Sequence, residues 1–225
     1  MHYALTAIIV ATALIAIAVG ATTGLYHFIA QLPEAPASGL QGKLAEIGAL
    51  LSSGGTVYGV PTGKYSMVSV RLDPFNLTLQ LPEGPSSISA NKTALAVQGM
   101  VLSAPPAANF SQGGGARIFT SGNTTYIMPL MKLVSVTTEQ ELGTSVHLVT
   151  LSVPVIQEGF SAAGTFNIMG RTAGTESEKF ERDVGLGGTA VLYVDGEPAT
   201  TFSVKAGDKV RIVVIYNKIL LARIG

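Results

Sequence analysis

The sequence predicts an α+β chain, a long N-terminal hydrophobic α-helix followed by an all-β sandwich domain. Three observations carry that expectation. Residues 3–30 contain no Asp, Glu, Lys or Arg. From Thr56 onward apolar residues recur with a period of two, the signature of half-buried strands. Between the periodic segments lie turns rich in Gly, Pro and Ser, including Pro105-Pro106 and Gly113-Gly114-Gly115. The expected organisation is a helix over 1–32, a Pro- and Gly-containing linker over 33–55 that holds a short helix, and an outer β-domain over 56–225.

As a straight helix the uncharged run would be roughly 42 Å long, more than the roughly 30 Å of hydrocarbon that a spanning segment crosses. It lacks the basic n-region of a removable secretory signal, since the first Lys or Arg is Lys43, and it is too long for one. Ala7 and Ala11, then Ala16, Gly20 and Gly24, recur at four-residue spacing and would let helix backbones approach closely. The same small residues also fit ordinary membrane-helix composition. Ile8, Ile9, Leu14, Ile15, Ile17, Leu25 and Phe28 cover the other faces, and a helix apolar all round must be surrounded by lipid or by other helices.

Pro33 and Pro36 end the helical pattern. Beyond them Leu40, Leu44, Ile47 and Leu51 have the spacing of a short amphipathic helix, despite Gly42 and Gly48. Val68, Val70 and Leu72, then Phe75, Leu77, Leu79 and Leu81, alternate with polar residues, and Asp73-Pro74 between them marks a hairpin or a corner. Further strands are expected over 94–103, 117–120, 126–138, 145–157, 165–169, 190–194, 200–204 and 209–223. Asp195-Gly196 is a favoured hairpin turn. About ten short strands behind one helix read as a sandwich of immunoglobulin-like kind.

Composition narrows the function classes. Charged residues make up 12% of the chain and the net charge is zero, which argues against nucleic acid as a partner. Without cysteine there is no disulfide, thiolate nucleophile or Cys-ligated metal. His2, His27 and His147 are scattered without metal-site spacing. Gly159-Phe160-Ser161-Ala162-Ala163-Gly164 has one residue too many for a nucleophile elbow, and Gly185-Leu186-Gly187-Gly188 is neither a phosphate loop nor a dinucleotide fingerprint. Glu176, Glu178, Glu181 and Asp183, interspersed with Lys179 and Arg182, read as a solvated loop or strand edge, with weak cation binding as the alternative. The expectation is no enzyme, no cofactor and no metal. Four acceptor tripeptides, at Asn76, Asn91, Asn109 and Asn123, favour an extracellular surface carrying N-linked glycans.

Residues 4–20, ALTAIIVATALIAIAVG, followed by Gly24-Leu25-Tyr26-His27-Phe28, resemble the N-terminal helix of archaeal type IV pilins, the group that includes the archaeal flagellins or archaellins. The resemblance covers the first thirty or so residues; beyond them it rests on the order of elements. It implies a precursor whose basic leader is cut by a prepilin peptidase, with Met1 as the mature N-terminus. It also implies a subunit held in the membrane before assembly, and a helical homopolymer built by pilus machinery with helices in its core and β-domains outside. Bacterial pilins usually carry Glu at the fifth mature position, where this chain has Leu5, a departure common among archaeal members. The resulting expectation is an extracellular pilus subunit serving adhesion. The alternatives are an archaellum subunit, or a monomeric membrane-anchored binding protein with an extracellular sandwich.

Overall fold

The computed structural model describes residues 38–102 and 115–224. Every described residue belongs to one compact unit, Ala35–Gly225. One helix, α1 (Ser38–Ser53), precedes twelve strands: β1 (Gly55–Arg71), β2 (Phe75–Leu81), β3 (Gly84–Ala90), β4 (Thr93–Gln98), β5 (Ala116–Ser121), β6 (Thr124–Pro129), β7 (Lys132–Glu141), β8 (Thr144–Ile156), β9 (Ser161–Asp183), β10 (Gly188–Val194), β11 (Glu197–Val204) and β12 (Lys209–Ile224).

This corrects the α+β class. Of the described residues 73% are in strands and 9% in helix, so the fold is mostly β. Among them no helix is long and apolar enough to cross a membrane. The hydrophobic helix expected over 1–32, on which the α+β class rested, lies outside the described residues, as do Ala7, Ala11, Ala16, Gly20, Gly24, His2 and His27. The only described helix is a short cover over a sheet.

The immunoglobulin-like topology is corrected as well. Eight strands form one sheet in the order β5-β6-β4-β1-β9-β12-β8-β7, and four form a second, β11-β10-β2-β3. β12 runs parallel to β8 from Lys209↔Val146 to Ile219↔Ile156, whereas immunoglobulin sheets are antiparallel. β1 and β2 lie in different sheets, so Asp73-Pro74 is a corner and not a hairpin.

Two apolar cores lie on opposite faces of the large sheet. Along β12, Val210, Ile212, Val214 and Tyr216 belong to one core, while Ile219 and Leu221 belong to the other. Because successive side chains alternate across a strand and β12 keeps an unbroken register with β8, the change from even to odd positions is a change of face. The first core packs α1 on β1, β4, β6 and the start of β9; Leu40, Leu44, Ile47 and Leu51 are each at most 1% exposed. The second packs Phe75, Leu77 and Leu79 of the small sheet on Val149, Leu151 and Val153 of β8 and on β12.

Local chemistry supports the helix. Gly54, with φ of 75°, donates its N–H to the Leu50 carbonyl at 2.8 Å, closing α1 with a left-handed residue. Gly48 is the close-approach point, because a Cβ there would lie 3.1 Å from Ala116 Cβ of β5. The stretch expected to be a linker thus carries a core element.

β9 accommodates both faces through one extra residue. Its pairing with β12 runs in step down to Lys218↔Gly174, then jumps to Ile219↔Thr172, leaving Ala173 bulged. Even-numbered residues of β9 therefore face the second core above the bulge, as Phe180 does, and the first core below it, as Phe166 and Ile168 do. Residues above the bulge have β12 on one side and no described strand on the other.

Candidate functional site

The strand register brings three polar groups together at one end of the second core. Thr138 of β7 pairs directly with His147 of β8, placing the threonine Oγ1 3.2 Å from His147 Nδ1. On the other side His147 Nε2 lies 2.9 Å from Asp208 Oδ2, in the turn that leads into β12. The same carboxylate accepts the Lys205 N–H at 2.8 Å, and the imidazole stacks on Phe202 of β11 with centroids 5.5 Å apart. The hydrogen bond from His147, followed by that from Lys205, holds the Asp208 carboxyl below the usual carboxylate range. With its proton on Nε2 the imidazole donates to Asp208 and accepts from the Thr138 hydroxyl. The hydroxyl-imidazole-carboxylate order is that of an activated nucleophile, yet the imidazole is buried against Phe202, and its contacts tie β7, β8, β11 and the turn before β12 together. His147 carries no sequence signal beyond being a lone histidine, because its partner lies 61 residues away.

A second cluster closes the far end of the small sheet. Lys92 Nζ lies 2.7 Å from Asp195 Oδ2 and 4.3 Å from the centroid of the Phe75 ring. Asp195, at φ of 50°, occupies the β10–β11 turn with Gly196, and its Oδ1 accepts the Asn76 N–H at 2.8 Å. One carboxylate thereby joins the β3–β4 turn, the β10–β11 turn and the start of β2.

The acidic run is the upper part of β9, and the opposing strands neutralise it. Glu181 accepts from Lys209 at 3.0 Å and from Arg211 at 2.8 Å, and Arg211 also makes a bidentate pair with Glu141 of β7 at 2.6 and 3.0 Å. Lys218 pairs with Glu176, and the Tyr216 hydroxyl donates to Glu178 at 2.8 Å. Burial first, and the Glu178 carboxylate second, push the Tyr216 phenol upward. Among the described residues no group of three or more metal-ligating side chains gathers.

The glycine-rich stretch before β10 is a packing device. Glu83 Oε1 accepts the Gly185 N–H at 2.8 Å, so a carboxylate occupies the donor that a phosphate would use, and that bond holds the Glu83 carboxyl below its ordinary range. At Gly188 a Cβ would lie 2.9 Å from Pro82 Cγ.

No family model, curated protein or solved structure matches this chain. The remaining candidates are the surface residues. Asn76 at the start of β2, Asn91 between β3 and β4, and Asn123 between β5 and β6 are all exposed; Asn109 lies outside the described residues. The structure brings none of these three asparagines into a common pocket. One shallow cavity, of about 300 Å³, is lined by Arg71, Asn91, Glu158 and Lys218 among polar residues and by Val155 and Ile156, a mixed surface at the small end of the range for ligand sites. Among the described residues the exposed large apolar side chains are Tyr58, Val134, Val136, Leu142 and Leu186.

Proposed function

We propose that this chain is the structural subunit of an extracellular filament of the archaeal type IV pilus kind, serving surface adhesion. The observation that carries the reading is the uncharged run over 3–30 with its small residues at four-residue spacing, joined through Pro33 and Pro36 to a β-domain. Lipid holds that run before assembly, and neighbouring copies enclose it afterwards. Both environments exclude water, so burial in either relieves apolar surface at about 25 cal/mol per Å². Assembly then depends on close packing between copies, since lipid is as apolar as another copy of the run.

The β-domain suits the outer layer. Its polar clusters clamp strands and turns, which fits a structural role. Asn76, Asn91 and Asn123 are exposed, as acceptors of N-linked glycans on a cell-surface filament must be. The expected partners are further copies of the chain, the membrane before assembly, a prepilin peptidase and pilus assembly machinery.

The test is the double substitution Gly20→Leu and Gly24→Leu in the full chain. Membrane recovery should stay at the wild-type level while fibres sheared from cells disappear by electron microscopy; normal fibres would sink the close-packing claim. If wild-type cells yield no fibres containing this chain, it is a membrane-anchored monomer instead.

A further inference from the structure

We propose that the outer domains join head to tail, the β7–β8 hairpin tip of one copy inserting Leu142 into a cavity beside the β5–β6 hairpin of the next copy. The inference rests on the filament reading and adds which surfaces meet. Leu142 lies in the left-handed region at φ of 52°, followed by Gly143 at 85°, as a tight hairpin turn requires. Asn, Asp or Gly adopts that conformation readily; leucine does so only at a cost. Packing within the chain does not offset it, because Leu142 is 108% exposed. A strained, fully exposed leucine at a loop tip is accounted for when another surface covers it.

The opposite end of the same sheet offers such a surface. Leu72, Asp73, Lys92, Arg117, Phe119 and Met128 line a cavity of about 260 Å³ on the face of β5 and β6 turned away from α1. Phe119 stacks on Tyr126 at 5.1 Å and lies under the Arg117 guanidinium, half-buried Leu72 adds apolar surface, and buried Met128 forms the floor. The charged residues of the two surfaces lean to opposite signs. The tip carries Glu139 and Glu141 beside Leu142, with Glu141 held by Arg211. The cavity carries Lys92 and Arg117 beside Asp73, a surplus of one positive charge among its lining residues, with Lys92 held by Asp195. β7 and β5 are the two outermost strands of the eight-stranded sheet. A contact between unlike surfaces at opposite ends repeats without closing and generates a fibre.

Leu142→Asn separates the anchor from the turn, because asparagine suits the left-handed position and lacks the apolar side chain. The full-length variant should melt at or above the wild-type temperature and give at least tenfold less sheared fibre; a wild-type yield would overturn the proposal. Since the chain has no cysteine, Leu142→Cys combined with Asp73→Cys gives a direct readout when cells are treated with a short bis-maleimide. A ladder of dimers, trimers and higher oligomers is expected from the pair and only monomer from each single variant. Dimer from Leu142→Cys alone would mean a two-fold contact and would also overturn it. Electron microscopy of the wild type judges the filament reading separately: fibres without a ladder reject this contact alone, and a ladder without fibres rejects the filament alone.

Discussion

Asp208 and His147 stand 61 residues apart in sequence and 2.9 Å apart in the fold, and through Thr138 and Lys205 they bind the edge strand β7, the interior strand β8 and the turn before β12 into one buried unit. The carboxylate is held below its ordinary value of 3.8, so its contribution to stability has a defined sign. A carboxyl whose folded pKa is depressed stabilises the fold above the unfolded value, and that contribution is lost as pH falls through the depressed one. Asp208→Asn should therefore melt below the wild type at neutral pH, with the gap closing in acid below about pH 4. Thermal melts across that range check it, and parallel curves throughout would reject the linkage. Glu141 and Glu181 are shifted in the same direction by Arg211, but those pairs are exposed and their effect should fade with added salt.

Gly170 sets the distance between α1 and the large sheet. A Cβ there would meet Leu50 Cδ2 at 2.7 Å and Cγ at 3.1 Å, and Leu50 is buried, so its side chain or α1 itself must shift. Gly170→Ala should cost about 1–3 kcal/mol through overpacking, and Leu50→Ala about 2–5 kcal/mol through the cavity it leaves. In the double variant the alanine at 170 occupies part of that cavity. The combined loss should fall short of the sum by at least about 1 kcal/mol in denaturant titrations. Strictly additive losses would show that Leu50 is not the limiting contact.

The bulge at Ala173 lets one strand serve both cores. Deleting that residue joins the two registers of β9 directly, so one half must turn its side chains to the wrong face. Either Phe166 and Ile168 leave the first core or Phe180 leaves the second. Cooperative thermal unfolding should be lost, and a single sharp transition near the wild-type temperature would contradict the role given to the bulge.

β12 lies between β9 and β8 and places residues in both cores. A chain ending at Lys205 keeps β1 to β11 but loses the strand that joins β9 to β8, and should show no cooperative melting transition. Near-native melting of that truncation would mean that the two sheets hold together without it.

Much of the local pattern is legible in the residues themselves. Strict alternation of Phe75, Leu77, Leu79 and Leu81 marks the buried face of β2, and Asp195-Gly196 marks the β10–β11 turn, because a period of two and a left-handed turn are properties of a few consecutive residues. The leucine spacing of α1 likewise follows from the pitch of a helix. β3, with the polar sequence GPSSISA, carries no such signal, because an edge strand with one exposed face needs few apolar residues. Residues 126–138 read as one strand but divide between β6 and β7, with Pro129 unable to continue the ladder as a donor.

Which strand lies beside which, and on which face, is settled by long-range packing. The parallel β8–β12 pair, the division of the strands between two sheets, and the Asp208–His147 and Lys92–Asp195 contacts all depend on residues far apart in sequence. Alternation along a strand specifies that one face is buried, but the identity of its partner depends on shape and charge contributed by other parts of the chain. An uncharged apolar beginning and a β-rich body are fixed by the order of residues alone. The strand order of that body in its two sheets, and the surfaces it leaves open, exist only once distant segments pack.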